Sequence, residues 1–198
     1  SKLLAMKRIN LILALILPLL LIFSCEKKET ATISDLEKLR QNNNEISYPT
    51  VQMDSLQAIN SITKQKVQEL LDLSTLYLDG NKRTTIDAAI LKQINDYFLQ
   101  PDSLTLKPLF HELEAKKVKS VKVHSLEVEK ETKDHDTIEY AKFNIEYFDK
   151  SKKSLGKFDR TAKYTLVIPN KEDKEFKFFF KTFYDGVEKD TTSVGSTK

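Results

Sequence analysis

The sequence predicts an α+β domain in which N-terminal helices pack on a four-stranded antiparallel meander sheet. Three observations carry that expectation. Apolar residues recur at three- and four-residue spacing from Leu56 to Phe98, the period of helices with one buried face. From Lys119 onward, four stretches are rich in β-branched and aromatic residues, as strands are. The segments between them, "ETKDHD", "KSKKSLG" and "PNKED", are short and polar, and short connections join antiparallel neighbours.

The chain of 198 residues has room for one ordinary domain with extensions. Its 40% hydrophobic and 31% charged content is that of a globular protein, and its four glycines are too few to expect a glycine-lined phosphate loop. The formal excess of +3 resides in Lys2, Lys7 and Arg8, so the chain from Cys25 onward is formally neutral. The charge argument for nucleic acid as a partner therefore fails.

The first element is the run "LILALILPLLLIFSCEKKE", Leu11 to Glu29. Its uncharged core from Leu11 to Phe23 spans roughly 20 Å as a helix, against a hydrocarbon slab of about 30 Å. Basic residues before it, a short apolar middle and a small residue, Ser24, at its exit form the pattern of a removable secretory leader. Met6 is a candidate natural start, with "SKLLA" upstream of it. "IFSC", Ile22 to Cys25, resembles the lipobox of bacterial lipoproteins, with isoleucine in place of the usual leucine. That resemblance implies cleavage before Cys25 by signal peptidase II, with diacylglycerol on its sulfur and an acyl chain such as palmitate on its amino group. Each methylene buried in a bilayer contributes about 0.8 kcal/mol, so several chains hold firmly. Cys25 is the only cysteine, and it is thereby committed to an anchor. "EKKET" after it resembles the charged export signals of Bacteroidota surface lipoproteins and implies the outer membrane, facing either the periplasm or the surface.

The expected organisation is a leader over 1–24, a lipidated polar tether over 25–50, an α+β domain over 51–185 and a disordered polar tail over 186–198. Within the tether, Ile33, Leu36 and Leu39 are spaced for one short helix. The first domain helix runs from about Asp54 to Leu78 and breaks near Ser61 to Thr63; Gly80 is placed for a positive φ at its end. Thr85 caps a second helix, Ile86 to Leu99, which Pro101 ends. "LKPLFHELEAKK" reads as a transition to the sheet. In the first strand Val121 and Val123 are out of phase with Leu126 and Val128, as a β-bulge near Ser125 would make them. Ala141, Phe143, Ile145 and Tyr147 share a face of the second strand, and Ala162, Tyr164, Leu166 and Ile168 a face of the third. Helices followed by a meander, over about Ile62 to Tyr184, resemble the cystatin-like and NTF2-like cone folds. That likeness implies a curved sheet around a helix; its families include both pocket enzymes and binding modules.

The candidate chemistry is sparse. "DHD", Asp134 to Asp136, reads as a solvated turn rather than a cation site. His124 lacks a visible carboxylate partner, and His111 in "HELE" lacks the second histidine of a zinc-protease helix. No nucleophile elbow, P-loop or dinucleotide fingerprint occurs. We therefore expect no catalytic residue, no metal and no cofactor beyond the lipid on Cys25. In "EFKFFFKTFY", Phe176, Phe178, Phe180 and Tyr184 read as core. Lys177, Phe179, Lys181 and Phe183 point the other way, as a recognition face or a face covered by lysine stems. "KKVKSVKVH" reads as a strand with a solvated lysine face rather than a site for anionic polymer or headgroups. The composite expectation is an exported, lipid-anchored envelope protein that binds a protein partner or small ligand. The alternatives are an NTF2-like pocket enzyme or carrier, and a purely structural envelope protein.

Overall fold

Polar residues that the sequence assigns to the tether belong to the folded part of the chain. The computed structural model describes residues 35–184, apart from 134, 135, 171 and 173. The leader, Cys25, the tether up to residue 34, the tail from 185, and Asp134 and His135 of the "DHD" turn lie outside the described residues. A short helix, α1 (Asp35–Gln41), is followed by a two-residue strand, β1 (Tyr48–Pro49). The long helix α2 (Leu56–Asp79) opens on Ser55, whose hydroxyl accepts from the Ala58 amide at 3.4 Å. It runs unbroken through the expected break, because Ile59, Ile62, Val67, Leu70 and Leu71 keep one continuous buried face there.

Gly80 ends α2 with φ −73°, not the expected positive φ. Glycine is needed there for a different reason: a Cβ would collide with the carboxylate of Asp87. That carboxylate serves the next helix, α3 (Thr85–Asp96), whose cap is Thr84 rather than Thr85. Thr84 and Asp87 bond each other's backbone amides at 3.1 and 3.0 Å, a reciprocal capping box. The helix stops short of Leu99 because Tyr97 to Leu99 turn onto the sheet. There the Phe180 amide donates to Tyr97 at 2.8 Å and the Leu99 amide to Phe180 at 2.9 Å. The expected transition before the sheet is itself a helix, α4 (Lys107–Ala115), with Pro108 in its first turn.

The strands β2 (Ser120–Lys133), β3 (Asp136–Phe148), β4 (Ser154–Val167) and β5 (Glu175–Phe183) form the predicted meander. The sheet has five strands rather than four, in the order β1-β5-β4-β3-β2, all antiparallel and curled into a half-barrel. β1 adds itself to the free edge of β5 through Tyr48 opposite Phe176. The bulge expected near Ser125 lies between Val123 and Ser125. A second one was not visible in the sequence: Tyr164 pairs with Phe180 but Lys163 with Thr182, so Lys181 is the extra residue. That inversion turns Phe183 inward, where it is 1% exposed and stacks on Tyr184 at 4.9 Å. Phe183 is therefore a core residue, contrary to its assignment to an outward face. Ile168, assigned to the core side of β4, is exposed just beyond the end of that strand.

Between the β1 pairing and the Tyr97 to Leu99 bridge, the outer edge of β5 is covered by a side chain. The Asn44 amide donates to the Phe178 carbonyl at 2.8 Å and to Asp96 at 3.1 Å. On the opposite edge, Gln68 of α2 plays a similar part, giving to Val121 and accepting from Val123, both at 2.9 Å. Removing a buried partner costs the hydrogen bonds and leaves carbonyls unpaired, so Asn44→Ala should lower unfolding stability by about 2–3 kcal/mol. Urea denaturation measures this, with the exposed Glu45→Ala expected to change little.

Candidate functional site

Alternation along β4 aims Arg160 into the curl of the sheet, opposite Phe143 of β3. An arginine there needs a counter-charge, and Glu112 on the buried face of α4 supplies it. Arg160 Nε lies 3.1 and 3.0 Å from the two carboxylate oxygens, and Nη2 lies 2.7 Å from Oε1. The side chains are 5% and 8% exposed, so the pair is desolvated. Tyr147 donates to the same carboxylate at 2.8 Å and shares a 2.8 Å contact with the Tyr184 hydroxyl. The rings of Phe158 and Tyr184 flank the guanidinium at 5.2 and 5.8 Å. Burial, reinforced by neighbouring acidic groups, pushes both phenols far above their ordinary pKa. Both phenols stay protonated, and the carboxylate already accepts several bonds. The cluster is thus a filled clamp between α4 and the sheet.

A second buried cluster lies under the segment 42–48. Lys66, fully buried, bonds Glu69 at 3.3 Å, and Tyr97 donates to that carboxylate at 2.8 Å. The ammonium sits 5.9 Å from the centre of the Tyr48 ring and 5.4 Å from that of Tyr97. Burial pushes Tyr48 up to about 12 and Tyr97 well beyond the ordinary range, with Glu69 adding to both. This cluster also joins elements rather than opening to solvent.

Open space lies elsewhere. A cleft of about 750 Å³ is bounded by the end of α2, α3, the turn at Asp102 and α4. Tyr77 and Phe110, stacked at 5.5 Å, contribute to an apolar lining with Leu91 and Leu106. His111, Lys107, Asn95 and the Lys82–Glu114 pair at 2.6 Å supply its polar groups. Asp102 in its wall is occupied in bonding Leu104 and Thr105, and these hydrogen bonds hold its carboxyl below the usual range. The segment "LKPLFHELEAKK" around His111 therefore splits its chemistry: His111 faces the cleft and Glu112 the core. This is the feature that the transitional reading of "LKPLFHELEAKK" missed, although the spacing of Leu109, Glu112 and Leu113 is helical.

His124 has the carboxylate partner that was not visible in the sequence. The bulge places its Nε2 2.7 Å from Glu146 across β3. Hydrogen bonds from Ser154 and His124 hold Glu146 below the usual carboxylate pKa. The pair lies on the outer sheet face, outside the cleft, and ties the bulge of β2 to β3. Lys177 and Phe179 are half-buried and Lys181 is exposed; with Phe183 in the core, that face keeps one ring instead of two. Among the described residues no group of three or more His, Cys, Asp or Glu is arranged to hold a metal ion. Among them, no helix is long and apolar enough to cross a membrane. Compared with protein-family models, curated proteins and solved structures, the chain matches none.

Breaking the clamp from one side leaves a buried charge, so Arg160→Met should cost about 3–5 kcal/mol in urea denaturation. Pairing it with Glu112→Leu should recover part of that loss, a coupling that a double-mutant cycle reads directly. For Glu146 the folded pKa is depressed. Its stabilising contribution is present above the ordinary value of 4.5 and is lost as pH falls through the lowered one. Glu146→Gln should therefore flatten the acid limb of the stability profile while leaving the neutral limb parallel to wild type.

Proposed function

We propose that this chain is an exported cell-envelope protein anchored by lipid on Cys25, and that its α+β domain is a binding or accessory module. The observation that carries the reading of the domain is where its space lies. The inside of the curl is filled by aromatic rings and the Glu112–Arg160 clamp, while the concavity lies outside it, between α2, α3 and α4. An apolar lining with a few polar groups at its margin suits a partner side chain or a small ligand. The lipobox-like "IFSC" supports the anchor, and "EKKET" after it supports the outer membrane as its site. Element order, with α2 packed along β2, supports kinship with cystatin-like and NTF2-like cones. The filled interior favours the non-enzymatic members of that group.

Anchor and module are tested separately. Cys25→Ser should abolish incorporation of labelled palmitate and move the protein out of the membrane fraction; unchanged labelling overturns the anchor. A photo-crosslinking residue at His111, in the cleft, should yield adducts in intact cells that one at Lys142, on the outer sheet face, does not. Equal yields at the two positions overturn the cleft as the recognition element.

A further inference from the structure

The formal neutrality of the chain from Cys25 onward conceals a concentration of lysines that only the fold brings together. Antiparallel register puts the start of β2 beside the end of β3, with Ser120 opposite Phe148. The α4–β2 connection and the β3–β4 turn therefore meet at one end of the domain, where the Lys119 amide donates to Phe148 at 2.8 Å. Lys116, Lys117, Lys150, Lys152, Lys153 and Lys157 all stand there, and all but the half-buried Lys116 are exposed. Lys116 lies over the Phe158 ring at 4.4 Å. The acids nearby are committed. Asp79 pairs with Lys119, Glu114 with Lys82, and Glu146, which lies opposite Lys157, with His124; Asp149 bonds the Ser151 and Lys153 amides at 2.8 and 2.9 Å. At the opposite end of the strands the charges are mixed: Glu131, Glu172 and Glu175 are exposed beside the equally exposed Lys130 and Lys174.

Two further features belong to the basic end. Lys117 and Lys152 sit at φ +54° and +60°, a left-handed conformation in which glycine avoids a steric cost that lysine bears. The turns thus keep a cation where backbone geometry favours glycine. Leu155, 38% exposed, stands between Lys153 and Lys157, adding an apolar group to the cationic ring.

We propose that this end of the domain docks on a bilayer rich in anionic headgroups, with the lysines in the headgroup layer and Leu155 at the acyl boundary. The proposal rests on the lipid-anchored reading for which membrane the domain meets. A tether from Cys25 keeps that surface at high local concentration. An exposed leucine among lysines fits a bilayer, whereas a nucleic acid backbone would leave it without an apolar partner. Among the described residues the buried core lies between Ile59 and Tyr184, all of it within the chain from residue 25.

The test uses that chain with Cys25→Ser, which removes the lipid and makes docking separable from anchoring. It should sediment with phosphatidylcholine vesicles containing phosphatidylglycerol and not with phosphatidylcholine alone, and release as salt rises. Lys117→Gly with Lys152→Gly should leave thermal stability equal or higher, while lowering partition roughly 25-fold at about fivefold per lysine. Leu155→Ser should lower it further, and Lys142→Gln with Lys163→Gln should leave it unchanged. Absence of vesicle binding overturns the proposal, as does binding indifferent to phosphatidylglycerol or to the paired glycine substitutions. Tighter binding to a duplex oligonucleotide, unaffected by Leu155→Ser, overturns it in favour of a nucleic acid. None of these outcomes bears on palmitate labelling of Cys25, which tests the anchor by itself.

Discussion

The Glu112–Arg160 pair decides how the helical layer meets the curl of the sheet. A guanidinium buried on the concave face of β4 needs its charge balanced, and Glu112 does so with a carboxylate at hydrogen-bond distance and the right planar geometry, while Nη1 donates to the Asp159 carbonyl at 2.7 Å. Glu112 meets that demand only if α4 keeps its rotation, because the residue on either side, His111 or Leu113, would present imidazole or an aliphatic chain instead. The constraint then propagates. Tyr147 and Tyr184 complete the carboxylate's bonding, and the rings around them close the interior. With α4 held against the sheet, its opposite face borders the cleft that holds His111.

The sheet's exposed edges are controlled in the same currency. An open curl has two free edges, each a template for pairing with another chain. On β2 the amide side chain of Gln68 acts as a surrogate strand, and Lys64 adds a bond to the His124 carbonyl at 2.7 Å. On β5 the cover is composite: two residues of β1, the Asn44 side chain, and the turn at Tyr97 to Leu99. These contacts explain why residues 42–49 belong to the domain despite their polar composition. Their contribution is hydrogen bonding at an edge, which hydrophobic periodicity does not register.

Period-2 and period-3.6 patterns made the four long strands and the two principal helices legible, and a change of phase at Ser125 revealed the first bulge. The same method misplaced Phe183, because the second bulge falls at Lys181 in a run where nearly every residue is aromatic or lysine. Alternation in such a run has no polar register from which a slip can be seen. The His124–Glu146 pair was illegible for another reason: its members are 22 residues apart, and only strand register and the bulge bring them together. The cleft depended on reading "LKPLFHELEAKK" as a helix, with one face buried and the other open. Its proline, placed in the first turn, is compatible with helix and only looks like a breaker.

Charge shows the largest gap between chain and fold. A net charge of zero from Cys25 onward argues against polyanion binding only if the charges are mixed in space, and the screening length of about 8 Å at physiological salt is shorter than the strands are long. Over such a distance the two ends of the sheet act as separate surfaces. "KKVKSVKVH" looks like an alternating strand with a wet face, and Lys122 does follow that rule. The lysines that precede the strand do not: they sit on a connection beside the β3–β4 turn, whose own lysines come from a segment 30 residues further along. Net charge is a property of composition, whereas a field is a property of register. In this fold the antiparallel pairing of β2 with β3 converts a neutral sequence into a domain with a basic end.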